Sequence, residues 1–92
     1  MQYLFVTWEH NFKDEPKEFY MELDDTRFQE RVLEIFEDGE VAYATTTEEY
    51  NTFLAKESYP SIEEINSTEE FRAALITKEE FEKAWKNRDK QK

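Results

Sequence analysis

The chain has no cysteine, one glycine, two prolines and one histidine, and each shortage closes off some chemistry. Without cysteine there is neither a disulfide scaffold nor a thiolate metal site. One glycine cannot build a glycine-rich phosphate loop. His10 has no second histidine to share a metal with, and Glu9-His10 followed by Asp14-Glu15 lacks a zinc-ligand spacing. Serine is scarce too; of Ser58, Ser61 and Ser67, the last two stand at expected helix starts. Carboxylates are so frequent that a pair of them says nothing about glycosidase-type catalysis. No apolar run approaches the roughly 20 residues of a membrane span. Met1 to Val6 has no basic lead and is followed by Glu9-His10, so no signal peptide is expected. These absences predict a cytoplasmic, non-enzymatic single domain over residues 1–92, with no cofactor, metal or membrane.

Positive charge is the other thing in short supply: 12 basic residues stand against 23 acidic ones, for a net charge of −11. Residues 83–92 carry +4, which leaves −15 on residues 1–82. Such a body repels nucleic acid and anionic membranes, and it speeds encounter with a basic protein. What is present in quantity is aromatic: eight Phe, five Tyr and two Trp supply much of the material for a core.

The lone glycine organises the fold. Asp38-Gly39 lies between two β-rich runs, the strongest short-range hairpin signal. A two-residue loop there sets Glu37 opposite Glu40, Phe36 opposite Val41, Ile35 opposite Ala42, Glu34 opposite Tyr43 and Leu33 opposite Ala44. One face of the ribbon then carries Leu33, Ile35, Ala42 and Ala44, a trough suited to a helix. The other carries Val32, Glu34, Phe36, Val41, Tyr43 and Thr45 and is assigned to the outside. The alternative is that the C-terminal segment covers this second face instead.

Strand patterns place the rest. Tyr3 to Glu9 is β-branched and aromatic, and Lys17 to Asp24 alternates, with Phe19, Met21 and Leu23 inward. Between them His10 to Lys17 reads as a polar connection. Three Ser/Thr-x-x-Glu boxes follow, at Ser61–Glu64, Ser67–Glu70 and Thr77–Glu80, each of which can cap a helix start. The expected fold is α+β: a four-stranded antiparallel meander over about 3–9, 17–24, 27–37 and 40–46. Short helices at about 62–66 and 68–73 and a C-terminal helix at about 78–88 pack on one face. Phe81, Ala84, Trp85 and Arg88 make the inward stripe of that last helix, over the Ala42/Ala44 trough. Its glutamate-first, lysine-last order complements the helix dipole, so the basic end has a structural explanation.

On the outer face Phe5, Tyr20, Glu22, Glu34, Phe36 and Tyr43 project together, with Glu37 and Glu40 as a like-charge pair beside the turn. Aromatic anchors among carboxylates are the make-up of a surface that selects a basic protein partner.

The order Val6-Thr7-Trp8…His10, Tyr20…Glu22-Leu23-Asp24, Glu34-Ile35-Phe36…Asp38-Gly39, Pro60-Ser61…Glu63-Glu64-Ile65-Asn66 and Ile76-Thr77…Glu79-Glu80-Phe81 covers nearly the whole chain. It resembles a family of small uncharacterised bacterial domains. The resemblance implies a compact α+β unit and no activity. The function expected from charge and patch is an acidic inhibitor or immunity-type protein that neutralises a basic nuclease, toxin or other nucleic-acid-processing protein. Two alternatives stand beside it: a phage-type DNA mimic that antagonises host machinery, and a housekeeping or small-ligand domain with a pocket near Trp8 and Trp85.

Overall fold

The computed structural model describes residues 1–88; of the basic residues near the C-terminus, Lys90 and Lys92 lie outside them. Six strands form one antiparallel sheet: β1 (Gln2–Trp8), β2 (Glu18–Leu23), β3 (Gln29–Ile35), β4 (Val41–Thr45), β5 (Glu49–Tyr50) and β6 (Phe71–Ile76). Two helices, α1 (Ile62–Asn66) and α2 (Lys78–Lys86), complete the domain. The strand order is β5-β4-β3-β2-β1-β6, so the first five strands make a meander and the chain then crosses the sheet to add β6 beside β1. Among the described residues no helix is long and apolar enough to cross a membrane.

The expected α+β class holds, with six strands rather than four. The expected helix at 68–73 is instead β6. Ala73, Ala74 and Leu75 are good helix formers, but pairing with β1 outweighs their weak local preference. The Ser67 box does not start a helix either: Ser67 is the C-cap of α1, its N–H and hydroxyl both donating to Glu64 O. The Ser61 and Thr77 boxes do cap helices. Ser61 accepts from Glu64 N–H, and Thr77 and Glu80 form the full reciprocal box at the start of α2.

The central hairpin differs from expectation by one residue. Phe36 N–H donates to Glu40 O and Gly39 N–H to Phe36 O, which makes a three-residue loop of Glu37, Asp38 and Gly39. Only Gly39 has positive φ (89°); the Asp38 carboxylate accepts from Glu40 N–H, which suits a type I turn closed by a left-handed glycine. The β2–β3 hairpin repeats this pattern, with Asp24 paired to Phe28 and Arg27 in the left-handed position (φ 68°). A non-glycine there costs about 1 kcal/mol. Arg27 is held by its guanidinium, which donates to Tyr59 O, Pro60 O and Gln2.

One residue of slip exchanges the faces of β4 relative to β3. Leu33 pairs with Tyr43, Glu34 with Ala42 and Val32 with Ala44. Both faces of the sheet are covered. Beneath α2 lie Tyr3, Leu33, Val41 and Tyr43, with Phe81 and Trp85 of the helix among them. On the opposite face Leu4, Val6, Met21, Leu23, Val32 and Ala44 form an aliphatic layer closed by α1 and by the 51–61 segment, through Leu54, Tyr59 and Ile62. The stripe expected on α2 is present, but it lies over Tyr43 rather than over the alanine trough.

Candidate interaction surface

The eight residues expected to form one outward patch are dispersed. Tyr43 is buried: the Trp85 ring meets it edge-on at 5.8 Å and the Arg88 guanidinium lies 4.8 Å above its ring. Glu22 is buried as well. It receives two hydrogen bonds from Arg31, at 2.8 and 3.0 Å, while the same guanidinium reaches Glu82 of α2 at 2.7 and 3.2 Å. That guanidinium also sits 4.7 Å from the Phe81 ring centre and 5.2 Å from that of Trp85. The bonds from Arg31 hold the Glu22 and Glu82 carboxyls below the ordinary glutamate range, against the opposing pull of desolvation. This network pins α2 to the sheet.

Glu34 lies on the other face, half-buried beneath the 51–61 segment, where it accepts from the Thr52 hydroxyl at 3.1 Å. Burial pushes its carboxyl up, and Glu15 adds to the shift. Phe5 and Tyr20 are cross-strand partners whose rings stand 4.8 Å apart. They line an open groove of about 480 Å³ beside α2, with Ile76, Glu80, Lys83, Ala84 and Asn87. Burial raises the Tyr20 hydroxyl, helped by Glu18 and Glu80. Trp8 and Trp85 stand on opposite faces of the sheet, so no pocket forms between them.

Phe36, Glu37 and Glu40 are a second group of expected patch residues that stay together. They lie at the sheet end where β1 and β3 finish and β2, β4 and β6 begin. Glu37 and Glu40 are exposed there but are not partners, since Phe36 takes the place opposite Glu40. The same end gathers Glu9, Asp14, Glu15, Asp38, Glu69 and Glu70, all exposed. One cleft of about 290 Å³ joins the hairpin tip (Phe36, Asp38, Glu40) to Lys13 and Asp14, and a second of about 340 Å³ joins those two to Trp8, Phe12 and Glu15.

Residues 10–17, expected as a plain polar connection, are ordered around His10. His10 Nδ1 accepts from Phe12 N–H at 2.9 Å and Nε2 donates to Pro16 O at 2.8 Å, which specifies one neutral tautomer. The Lys17 ammonium donates to His10 O. The imidazole lies between Trp8, whose ring is tilted against it at 4.2 Å, and Phe12, which stacks on it at 5.4 Å, and Trp8 stacks in turn on Phe71 at 5.4 Å. Phe12 is thereby held at the surface, 62 % exposed, amid carboxylates. The available sequence signal was a lone phenylalanine inside an otherwise polar connection.

The arginines, by contrast, are engaged within the domain, whereas Lys13, Lys56, Lys78, Lys83 and Lys86 are exposed. All four arginines are bonded to the domain itself: Arg27 and Arg31 as above, Arg72 to the carbonyls of Thr68, Glu69 and Phe71, and Arg88 to Trp85 O. Among the described residues no group of three or more His, Asp or Glu side chains is placed to hold a metal ion.

The fold defines a small antiparallel α+β domain, and one end of its sheet is acidic and carries an exposed aromatic ring. The chain belongs to the family described as Domain of unknown function (DUF6881), whose model matches residues 2–90. No curated protein and no solved structure matches it.

Proposed function

We propose that the protein is a non-enzymatic acidic binding protein that neutralises a basic partner, of the kind a nuclease, toxin or other nucleic-acid-processing protein would be. The supporting observation is the division of charge at the surface. Carboxylates crowd one end of the sheet around the exposed Phe12, while the arginines that could offset them are committed to internal bonds. An aromatic anchor ringed by acids gives both apolar contact and a field that selects and steers a cationic surface. Phe12 and Phe36 are the anchors, and Asp14, Glu37, Asp38 and Glu40 set the field.

The test compares the wild type with a variant in which Asp14 and Asp38 become Asn and Glu37 and Glu40 become Gln. Both are immobilised and exposed to cell extract at about 50 mM and about 500 mM salt, a range that shortens the screening length from roughly 14 to 4 Å. Wild type retains a basic protein at low salt and releases it at high salt, and the variant retains none at an unchanged melting temperature. Capture indifferent to salt and to the four substitutions would sink the reading. The Phe5/Tyr20 groove favours a second reading, a small-ligand site; a metabolite that perturbs Phe5 and Tyr20 resonances while leaving Phe12 untouched would support it.

A further inference from the structure

Glu9 N–H donates to Glu70 O at 2.7 Å, so that pair and every second pair after it face each other across β1 and β6. These are Thr7/Arg72, Phe5/Ala74 and Tyr3/Ile76. Phe71, Ala73 and Leu75 therefore turn their N–H and C=O groups away from β1, toward the free edge where a further strand would add. At Ala73 both groups are already taken. Its N–H donates to Asn66 Oδ1 at 2.6 Å and its carbonyl accepts from Asn66 Nδ2 at 3.0 Å. One side-chain amide thus makes the pair of bonds that a residue of a neighbouring strand would make. Next to it, the Arg72 guanidinium occupies Phe71 O at 2.7 Å. Among the described residues Leu75 has no such cover, and its side chain is 59 % exposed.

We propose that the β6 edge is a latent pairing site for a second copy of this chain, and that Asn66 holds it shut. The edge is self-complementary. Antiparallel pairing centred on Ala73 sets Ala73 against Ala73, Phe71 against Leu75 and Arg72 against Ala74. The residues whose backbone groups face outward then meet one another, the exposed leucine gains an aromatic neighbour, and no like charges stand directly opposite. The charge of −11 on each copy opposes approach, so an opened edge pairs when salt screens that repulsion.

Sedimentation velocity on the wild type, N66A and N66D, over a range of concentrations at low and high salt, tests this. The wild type sediments as a monomer at both. N66A becomes a concentration-dependent dimer at high salt, and adding L75K returns it to monomer. N66D keeps an acceptor for Ala73 N–H but loses the donor to Ala73 O. It dimerises more weakly than N66A and keeps its Ala73 amide protected, whereas in N66A that amide loses its acceptor and exchanges about fivefold faster, as loss of one hydrogen bond of about 1 kcal/mol implies. If N66A does not fold, N66D with and without L75K decides. A folded Asn66 variant that stays monomeric at high salt, or a wild type that already dimerises in an L75K-sensitive way, overturns the proposal.

Discussion

The two faces of the sheet are closed by different chemistry. Under α2 the filling is aromatic and ionic: Phe81 and Trp85 stack at 5.9 Å and Tyr3 meets Phe81 at 5.3 Å, while Arg31 lies over both helix rings and binds Glu22 and Glu82. On the opposite face the fully buried filling is aliphatic, built on Leu4, Val6, Met21, Leu23 and Val32, with Phe19, Tyr59 and Phe71 only partly buried at its margin and Glu34 caught beneath the 51–61 segment. A nine-residue helix cannot cover the sheet by apolar area alone, so charge supplements it. The far face has a longer covering segment and needs no ion pair. The two faces consequently respond to acid in opposite senses.

Breaking the aromatic layer has the largest expected effect. Phe81 is fully buried between Tyr3 and Trp85, and Phe81→Ala lowers unfolding free energy by about 4 kcal/mol in chemical denaturation. Arg31→Met comes next, at about 3 kcal/mol, because it leaves the Glu22 carboxylate buried without its partner. Changing Arg31 and Glu22 together to Met and Leu recovers most of that loss, since the pair itself contributes less than its separation costs. The Arg31 bonds hold Glu22 below its ordinary value of 4.5, so their stabilisation is present above that pH and is lost as pH falls below it. Arg31→Met therefore flattens the acid limb of a melting-temperature profile; an unchanged limb contradicts the assignment.

The smallest effect sharpens the contrast from the other side. Burial lifts the Glu34 carboxyl, so ionising it costs stability as pH rises through its folded value. Glu34→Gln keeps an acceptor for Thr52 and raises stability at neutral pH by about 1 kcal/mol. The gain vanishes below the ordinary glutamate value of 4.5, where the carboxyl is protonated in both states. A gain that persists in acid would place its origin elsewhere.

How far the fold could be read from the sequence varied with how local each signal was. The capping boxes at Ser61 and Thr77 and the stripe of α2 rest on contacts within four residues, and they stand as expected. The hairpin at Gly39 is also local in existence. Its register is not, because Asp-Gly suits both a two-residue loop and a type I turn with left-handed glycine. That single residue moved Tyr43 and Glu34 to opposite faces and dispersed the expected patch. β6 was unreadable for a different reason: Phe71 to Ile76 has helix-forming composition and becomes a strand only because β1 offers it an edge. The surface at Phe12 was hidden because its order comes from His10 bonding residues two and six positions away, within a stretch that looks like loop.

By itself the sequence determined what local chemistry can enforce: acidity, the absence of thiol and phosphate-loop chemistry, the meander strands and the capped helices. Only the tertiary structure decided which side of each strand lies under α2, because alternation leaves the two sides equivalent until a covering element chooses between them. It also decided where the charge goes. The same arginines count equally in a composition, but all four are engaged by carboxylates, carbonyls and rings of the domain itself, while most of the acids stay exposed.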